Sequence, residues 1–152
     1  MNNPMIKQLQ SDLDLAKRAV EIFSKSVVKS RRLLEESKAR SLSDDDRESF
    51  ESLTSRYGRA LDVLTQKLLR TIDRLELTDD GSVLDRINRF KKRQVLREEV
   101  NYALLKDLRN QIVHEYIIDE TDRVVVEVLN FAPLIEEMLV KAQDYCKLRT
   151  FI

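Results

Sequence analysis

Apolar residues recur every three or four positions along most of this 152-residue chain. That spacing matches the turn of an α-helix, about 3.6 residues, and not the two-residue alternation of a strand. Only 2 Gly and 2 Pro accompany 36% charged residues, a composition typical of helices with charged outer faces. The pattern predicts an all-α protein in which residues 1–152 form one domain, an antiparallel bundle of about five to six helices.

Capping residues and prolines set the expected helix bounds. Ser43, followed by three aspartates, and Ser82, after the turn that contains Gly81, are expected N-caps. Pro133 is tolerated at a helix start but not in its interior, so the last helix is expected to begin near Asn130. Val124–Val126 fits either a short helix or an extended piece, and of the two we favour the short helix. The other helices are expected from Pro4 to the high thirties, from Ser43 to about Leu75, from 82 to about 93, from Arg97 to about Tyr116, and from Asn130 to Leu148.

The composition also excludes several classes of protein. No run of apolar residues is long enough to span a membrane, and the first residues lack a signal-peptide pattern, so we expect a cytoplasmic protein without a membrane partner. A single cysteine, Cys146, excludes an internal disulfide and a multi-thiolate zinc site. With one histidine, His114, a histidine-rich metal centre is excluded as well, and we expect neither a metal nor a cofactor.

The residues best suited to chemistry lie in the predicted fourth helix, in the segment RNQIVHEY that starts at Arg109. Histidine exchanges protons near neutral pH, and the planar arginine fork suits phosphate oxygens. Metal-free RNA cleavage needs a base for the 2′-hydroxyl, a cation for the charge on phosphorus and an acid for the leaving oxygen. Arg109 and His114 supply two of these three groups.

An ideal straight helix does not bring Arg109 and His114 together. Residues five apart lie about 140° apart around the axis, while His114 shares a stripe with Asp107 and Asn110. The two side chains could meet through the reach of the arginine, through distortion near the helix end, or across a twofold dimer. A dimer would also supply a second histidine, so that base and acid need not be the same group.

The R-x4-H-x-Y pattern of Arg109, His114 and Tyr116, near the end of a helix in a small all-helical chain, resembles the HEPN superfamily. The R-x4-H-x-Y form of the pattern is similar to that of the HepT-like toxins of HepT/MntA toxin-antitoxin pairs. The resemblance implies a metal-independent endoribonuclease that acts on RNA, such as tRNA or mRNA, as a homodimer with both motifs in one cleft. It implies that Arg109 and His114 are the catalytic pair and that Asn110 supports them.

The same resemblance implies how the activity would be controlled. Tyr116 would be the residue to which a cognate MntA-like nucleotidyltransferase antitoxin attaches AMP, as in type VII-like toxin-antitoxin pairs. A nucleotide at that position would set negative charge against Arg109 and obstruct the cleft. Without the motif, Tyr116 would be read as a half-buried aromatic that closes the helix end.

Two other interpretations of the chain stay open. The bundle could be a non-catalytic, substrate-binding partner of a small nucleotidyltransferase, or a helical interaction protein in which the motif is accidental. The basic run near the third helix is either an RNA-binding patch or a solvated helix face. We expect Glu98, Glu99 and Asp107 to orient Arg109 or to pair with lysines. The candidate RNA-binding residues of the basic run are Arg86, Arg89, Lys91, Lys92 and Arg93.

Overall fold

The structure, a computed structural model, describes residues 3–114 and 121–152, without the side chains of His114, Thr121 and Asp122. These residues form five helical rods and contain no strand. The second rod is continuous but includes a π-helical segment. The helices are α1 (Pro4–Glu36), α2 (Asp44–Asp62), the π segment (Val63–Leu68), α3 (Leu69–Leu75), α4 (Val83–Lys92), α5 (Tyr102–His114) and α6 (Thr121–Leu148).

The three long rods pack along their lengths, and α1 runs in the direction opposite to the other two. Arg56 of α2 donates to Ser26 of α1, while Thr71 of α3 reaches Asp12 near the start of α1. Residue numbers therefore rise along one rod as they fall along the other, which shows that the rods are antiparallel. The pairs Arg31–Leu129 and Ser24–Glu136 show the same for α1 and α6. The predicted antiparallel arrangement is confirmed for α1 with each of the other two rods, and those two rods run parallel to each other.

One apolar core runs through the bundle. The largest fully buried side chains include Phe23 of α1, Phe50 and Tyr57 of α2, and Phe90 of α4. All lie at positions that the three-and-four spacing selects, because that spacing keeps one face of each helix turned inward.

The N-caps expected at Ser43 and Ser82 are confirmed. Each serine accepts a hydrogen bond from the backbone N–H three residues later, at Asp46 and Asp85, and each aspartate accepts from the serine N–H in return. These reciprocal capping boxes satisfy two N–H groups that a helix start leaves unpaired. The acidic partners also complement the positive end of the helix dipole.

Helix ends are closed by residues other than glycine. Leu77 has φ 59° directly after α3, and Gln94 has φ 61° after α4. The N–H of Thr78 binds the carbonyl of Asp73 at 2.8 Å, and Val95 binds Phe90 at 2.9 Å. These are the six-residue hydrogen bonds of a Schellman ending. Gly81 has the expected positive φ but lies in the turn, beyond the residue that ends α3.

Two predicted bounds are wrong. The fourth helix begins at Tyr102 and not at Arg97, because the side chain of Asn101 accepts the N–H of Leu104 and caps the helix there. The last helix does not begin near Asn130: α6 runs unbroken from Thr121 and has Pro133 in its interior. Val124–Val126 is helical, as expected, but belongs to this long helix.

A contact from α1 accounts for the interior proline. Pro133 has no N–H to give to the carbonyl of Leu129, one turn earlier, and an unpaired buried carbonyl is costly. Arg31 of α1 donates to that oxygen at 3.1 Å. The arginine therefore replaces the hydrogen bond that the proline removes.

Candidate functional site

The helix that carries the motif lies in the groove between α2 and α6. α5 packs against both of these helices, and α1 contacts the same two helices from the other side. The buried hydroxyl of Tyr57 donates to the carbonyl of Leu105 at 2.8 Å and so fixes α5 on α2. Burial raises the pKa of Tyr57 above its usual range, so the phenol stays a donor.

Arg109 is held in place by two residues of α2 one turn apart. Its Nη2 lies 2.9 Å from Oδ2 of Asp62. A Cβ built on Gly58 would lie 3.6 Å from Cγ of Arg109, an ordinary van der Waals distance, so Gly58 directly adjoins the arginine stem and a small side chain there would also fit. The Gly58–Asp62 pair, four residues apart on one face of α2, therefore forms a seat for Arg109.

The Arg109–Asp62 pair lies at the surface. The Arg109 side chain is 36% exposed and that of Asp62 is 42% exposed. Nη1 of Arg109 also faces the side-chain oxygen of its neighbour Asn110 at 3.4 Å. A guanidinium has five N–H donors, so these two contacts leave donors for an anion that approaches from solvent.

The structure gives less detail for the other two motif residues, His114 and Tyr116. His114 is helical, and its position in the α5 register lies on the stripe of Asp107 and Asn110, about 140° from Arg109. Tyr116 lies outside the described residues. The structure thus brings Arg109 together with Asn110 and Asp62, and the convergence of Arg109 with His114 stays a prediction.

The arginines of the predicted basic patch surround a buried carboxylate. Asp73 is fully buried, and its oxygens lie 2.7 Å from Arg89 Nη2, 2.7 Å from Arg93 Nη1 and 3.4 Å from Arg86 Nε. Arg86 is itself only 7% exposed and donates to the carbonyl of Thr65 at 3.0 Å. These three side chains are therefore bound within the protein. Lys91 is half-buried and Lys92 is exposed.

Sequence reasoning missed the residue that orients Arg109. We expected Glu98, Glu99 or Asp107 in that role, but the acid that contacts the guanidinium is Asp62, from another helix. The available signal was Gly58 in the middle of an otherwise well-packed helix, because a helical glycine often marks close approach of a neighbour. Asp62 lies one turn further along the same face.

The described residues contain no group of three or more His, Cys, Asp and Glu side chains arranged to hold a metal ion. No helix within them is long and apolar enough to span a bilayer. Comparisons with protein-family models, with curated proteins and with solved structures find no match for this chain.

Proposed function

We propose that this protein is a metal-independent endoribonuclease of the HEPN type, in which Arg109 and His114 are the catalytic pair. The observation that carries the proposal is the surface position of Arg109, whose guanidinium is fixed by Asp62 and still has free donors. A cation held in this way is preorganised for a phosphate oxygen, which is where charge develops during RNA cleavage.

The roles follow from the chemistry of the two side chains. Arg109 stabilises the negative charge on the phosphorane-like transition state, and Asn110 beside it supports the site. His114 removes the proton of the 2′-hydroxyl as a general base, or gives a proton to the leaving 5′-oxygen as a general acid. The 2′-oxygen then bonds to phosphorus as the bond to the 5′-oxygen breaks, which leaves a 2′,3′-cyclic phosphate.

The proposal includes a homodimer and a regulatory partner. A twofold dimer that pairs two copies of α5 supplies two histidines to one cleft, so one acts as base and the other as acid. The regulator is a nucleotidyltransferase antitoxin that attaches AMP to Tyr116. The added phosphate competes with RNA for Arg109. Incubation with such an enzyme and ATP should add one AMP unit to Tyr116, read by mass spectrometry, and abolish cleavage.

The direct test is cleavage of total tRNA by the purified chain in EDTA. The parent should cut, and Arg109→Ala and His114→Ala proteins of matched stability should not. Asp62→Asn keeps the shape of the seat but removes its charge, so it should lower kcat about tenfold without abolishing cutting. If the parent carries no nucleotide and still does not cut, the proposal fails, and the partner-subunit interpretation takes its place.

A further inference from the structure

We infer that the outward face of α1 is a binding surface for the phosphate backbone of a folded RNA. Between residues 17 and 32, α1 carries six cations and one anion in a chain whose formal net charge is zero. The residues that face directly outward form what we call the α1 basic stripe: Arg18, Lys25, Lys29 and Arg32. The inference rests on the proposed function, because it names the class of RNA that the enzyme takes.

The four cations lie on one side of the helix. At about 100° per residue they fall within an arc of about 60°, on the side opposite the buried residues Ala16, Val20, Phe23 and Val27. From Arg18 to Arg32 the stripe is about 21 Å long, at about 1.5 Å per residue.

The stripe is free to bind an anion, unlike the arginines of α4. Lys25 is 72% exposed and lies 3.5 Å from Glu21, and Arg32 is 65% exposed and lies 3.7 Å from Glu36. Ion pairs this long between exposed side chains contribute little. Within the described part of the chain, Arg18 and Lys29 have no ion-pair partner within 4 Å. By contrast, Asp73 contacts Arg86 and Arg89 of α4 and Arg93, which directly follows it.

RNA fits this face better than a membrane surface does. An interfacial helix needs a broad apolar face to insert between lipids, and the exposed apolar residues beside the stripe are only Ile22 and Val28. A row of cations about 21 Å long instead suits the phosphates of a nucleic-acid backbone. Each phosphate that is neutralised releases counterions and adds to affinity in a salt-dependent way.

The position of the stripe sets the size of the RNA. α1 and α5 lie on opposite sides of the pair formed by α2 and α6, so the stripe and Arg109 are separated by two helix layers. At about 8–10 Å per layer this is about 20 Å or more. An oligonucleotide of a few residues cannot reach both surfaces of one protomer, whereas an RNA as large as tRNA can.

The test compares two variants that each lose four positive charges. The stripe variant is Arg18→Gln, Lys25→Gln, Lys29→Gln and Arg32→Gln. The control replaces four exposed lysines elsewhere with glutamine: Lys7, Lys67, Lys106 and Lys147. Glutamine keeps helix propensity, and circular dichroism with denaturant titration checks that both variants fold. Binding to labelled tRNA is measured in a His114→Ala background, which prevents the proposed cleavage.

We expect the stripe variant to bind tRNA at least about tenfold more weakly at about 100 mM salt. The slope of log K against log salt should become about three units shallower, because up to four phosphate contacts are lost. The control should change affinity by about twofold. With His114 restored, the stripe variant should raise KM for tRNA and leave kcat, and cleavage of a hexanucleotide, unchanged.

Equal binding of tRNA by the stripe variant and the control would overturn the inference. So would stripe-dependent binding to anionic phospholipid vesicles without binding to tRNA. Stripe-dependent binding of tRNA by a parent that cuts no RNA would support the stripe and contradict the endoribonuclease proposal. Different results therefore contradict the inference about the α1 basic stripe and the endoribonuclease proposal.

Discussion

At the scale of single residues, two arginines that each bind an aspartate of another helix have different roles. Arg89 binds the fully buried Asp73, together with Arg86 and Arg93. Arg109 binds Asp62, which is 42% exposed. A buried carboxylate among cations is part of the interior, whereas an exposed pair leaves the arginine available to a ligand. Burial of the acid, which a charge count cannot report, separates the two cases.

Asp73→Asn should destabilise the protein strongly. It removes the negative charge from three clustered arginines, one of which is almost fully buried. Breaking a buried ion pair by removing one partner costs about 3–5 kcal/mol. Asp80→Asn is the matched control. Asp80 is 93% exposed and its nearest contact with Arg89 is long, at 4.0 Å. Removing its charge should therefore cost less than about 0.5 kcal/mol. Urea denaturation measures both values, and similar small losses would contradict this account.

At the scale of helices, local sequence signals predict where a helix starts. Long-range contacts decide whether a helix continues through a proline and which side chains meet between helices. The caps at Ser43 and Ser82 involve residues three apart, so the sequence contains all the information they need. The continuity of α6 through Pro133 depends on Arg31, which is 98 residues from the carbonyl it binds. The seat of Arg109 depends on Asp62, 47 residues away. No local pattern specifies either contact.

The π segment is another feature that periodicity does not reveal. The predicted helix to Leu75 is continuous in the structure, but its middle widens over Val63–Leu68, where the N–H of Leu69 binds the carbonyl of Leu64. Val63, Leu64 and Thr65 are all buried, so the segment presents a wider apolar face than an α-helix does. Such turns are rare and often adjoin functional residues; here Asp62 directly precedes it.

Arg31→Ala should cost stability only while Pro133 is present. In the parent it leaves the Leu129 carbonyl without its arginine donor, which should cost about 1–2 kcal/mol. In a Pro133→Ala background the restored backbone N–H can bind that carbonyl, so the cost should fall below about 0.5 kcal/mol. A double-mutant cycle by chemical denaturation measures the coupling. Arg32→Ala, at an exposed neighbouring position, is the control. If the effects of Arg31→Ala and Pro133→Ala on the free energy of unfolding are additive, Arg31 does not compensate for Pro133.

At the scale of the whole molecule, a cluster of side chains joins the ends of two rods. Glu76, just after α3, accepts a hydrogen bond from Tyr145 at 2.7 Å and from Arg149 at 2.8 Å. Burial alone would raise the pKa of Glu76, but these hydrogen bonds outweigh it and lower that pKa below its ordinary value of 4.5. The ionised carboxylate therefore stabilises the folded chain.

The sign of the pH dependence follows from the lowered pKa of Glu76. Its contribution is fully present above about pH 4.5, the ordinary value, and is lost as the pH falls through the lower folded value. Glu76→Gln should thus destabilise the protein by about 1–2 kcal/mol at pH 7, and by progressively less below pH 4.5. Glu48→Gln, at an exposed position, is the control with the same charge change. Chemical denaturation at several pH values measures the difference in unfolding free energy between Glu76→Gln and the parent. A difference that does not change with pH would contradict the assignment.

Two separate surfaces of the molecule carry cations that are open to solvent. Arg109 and its seat form one polar site on α5, and the α1 basic stripe lies on the far side of the α2–α6 pair. The arginines on and just after α4, by contrast, are bound by Asp73 of the chain itself. On the proposed function, a protein of zero net charge would bind RNA at these two places and would have no broad affinity for polyanions.

The most direct measurement of the central claim is the chemistry of the RNA ends that the purified parent produces in EDTA. Attack by the 2′-oxygen, with Arg109 and His114 as the catalytic pair, predicts 2′,3′-cyclic phosphate on one fragment and a 5′-hydroxyl on the other. Both ends should be absent from reactions with Arg109→Ala or His114→Ala. Fragments with 3′-hydroxyl ends, or cutting that survives both substitutions, would contradict the account.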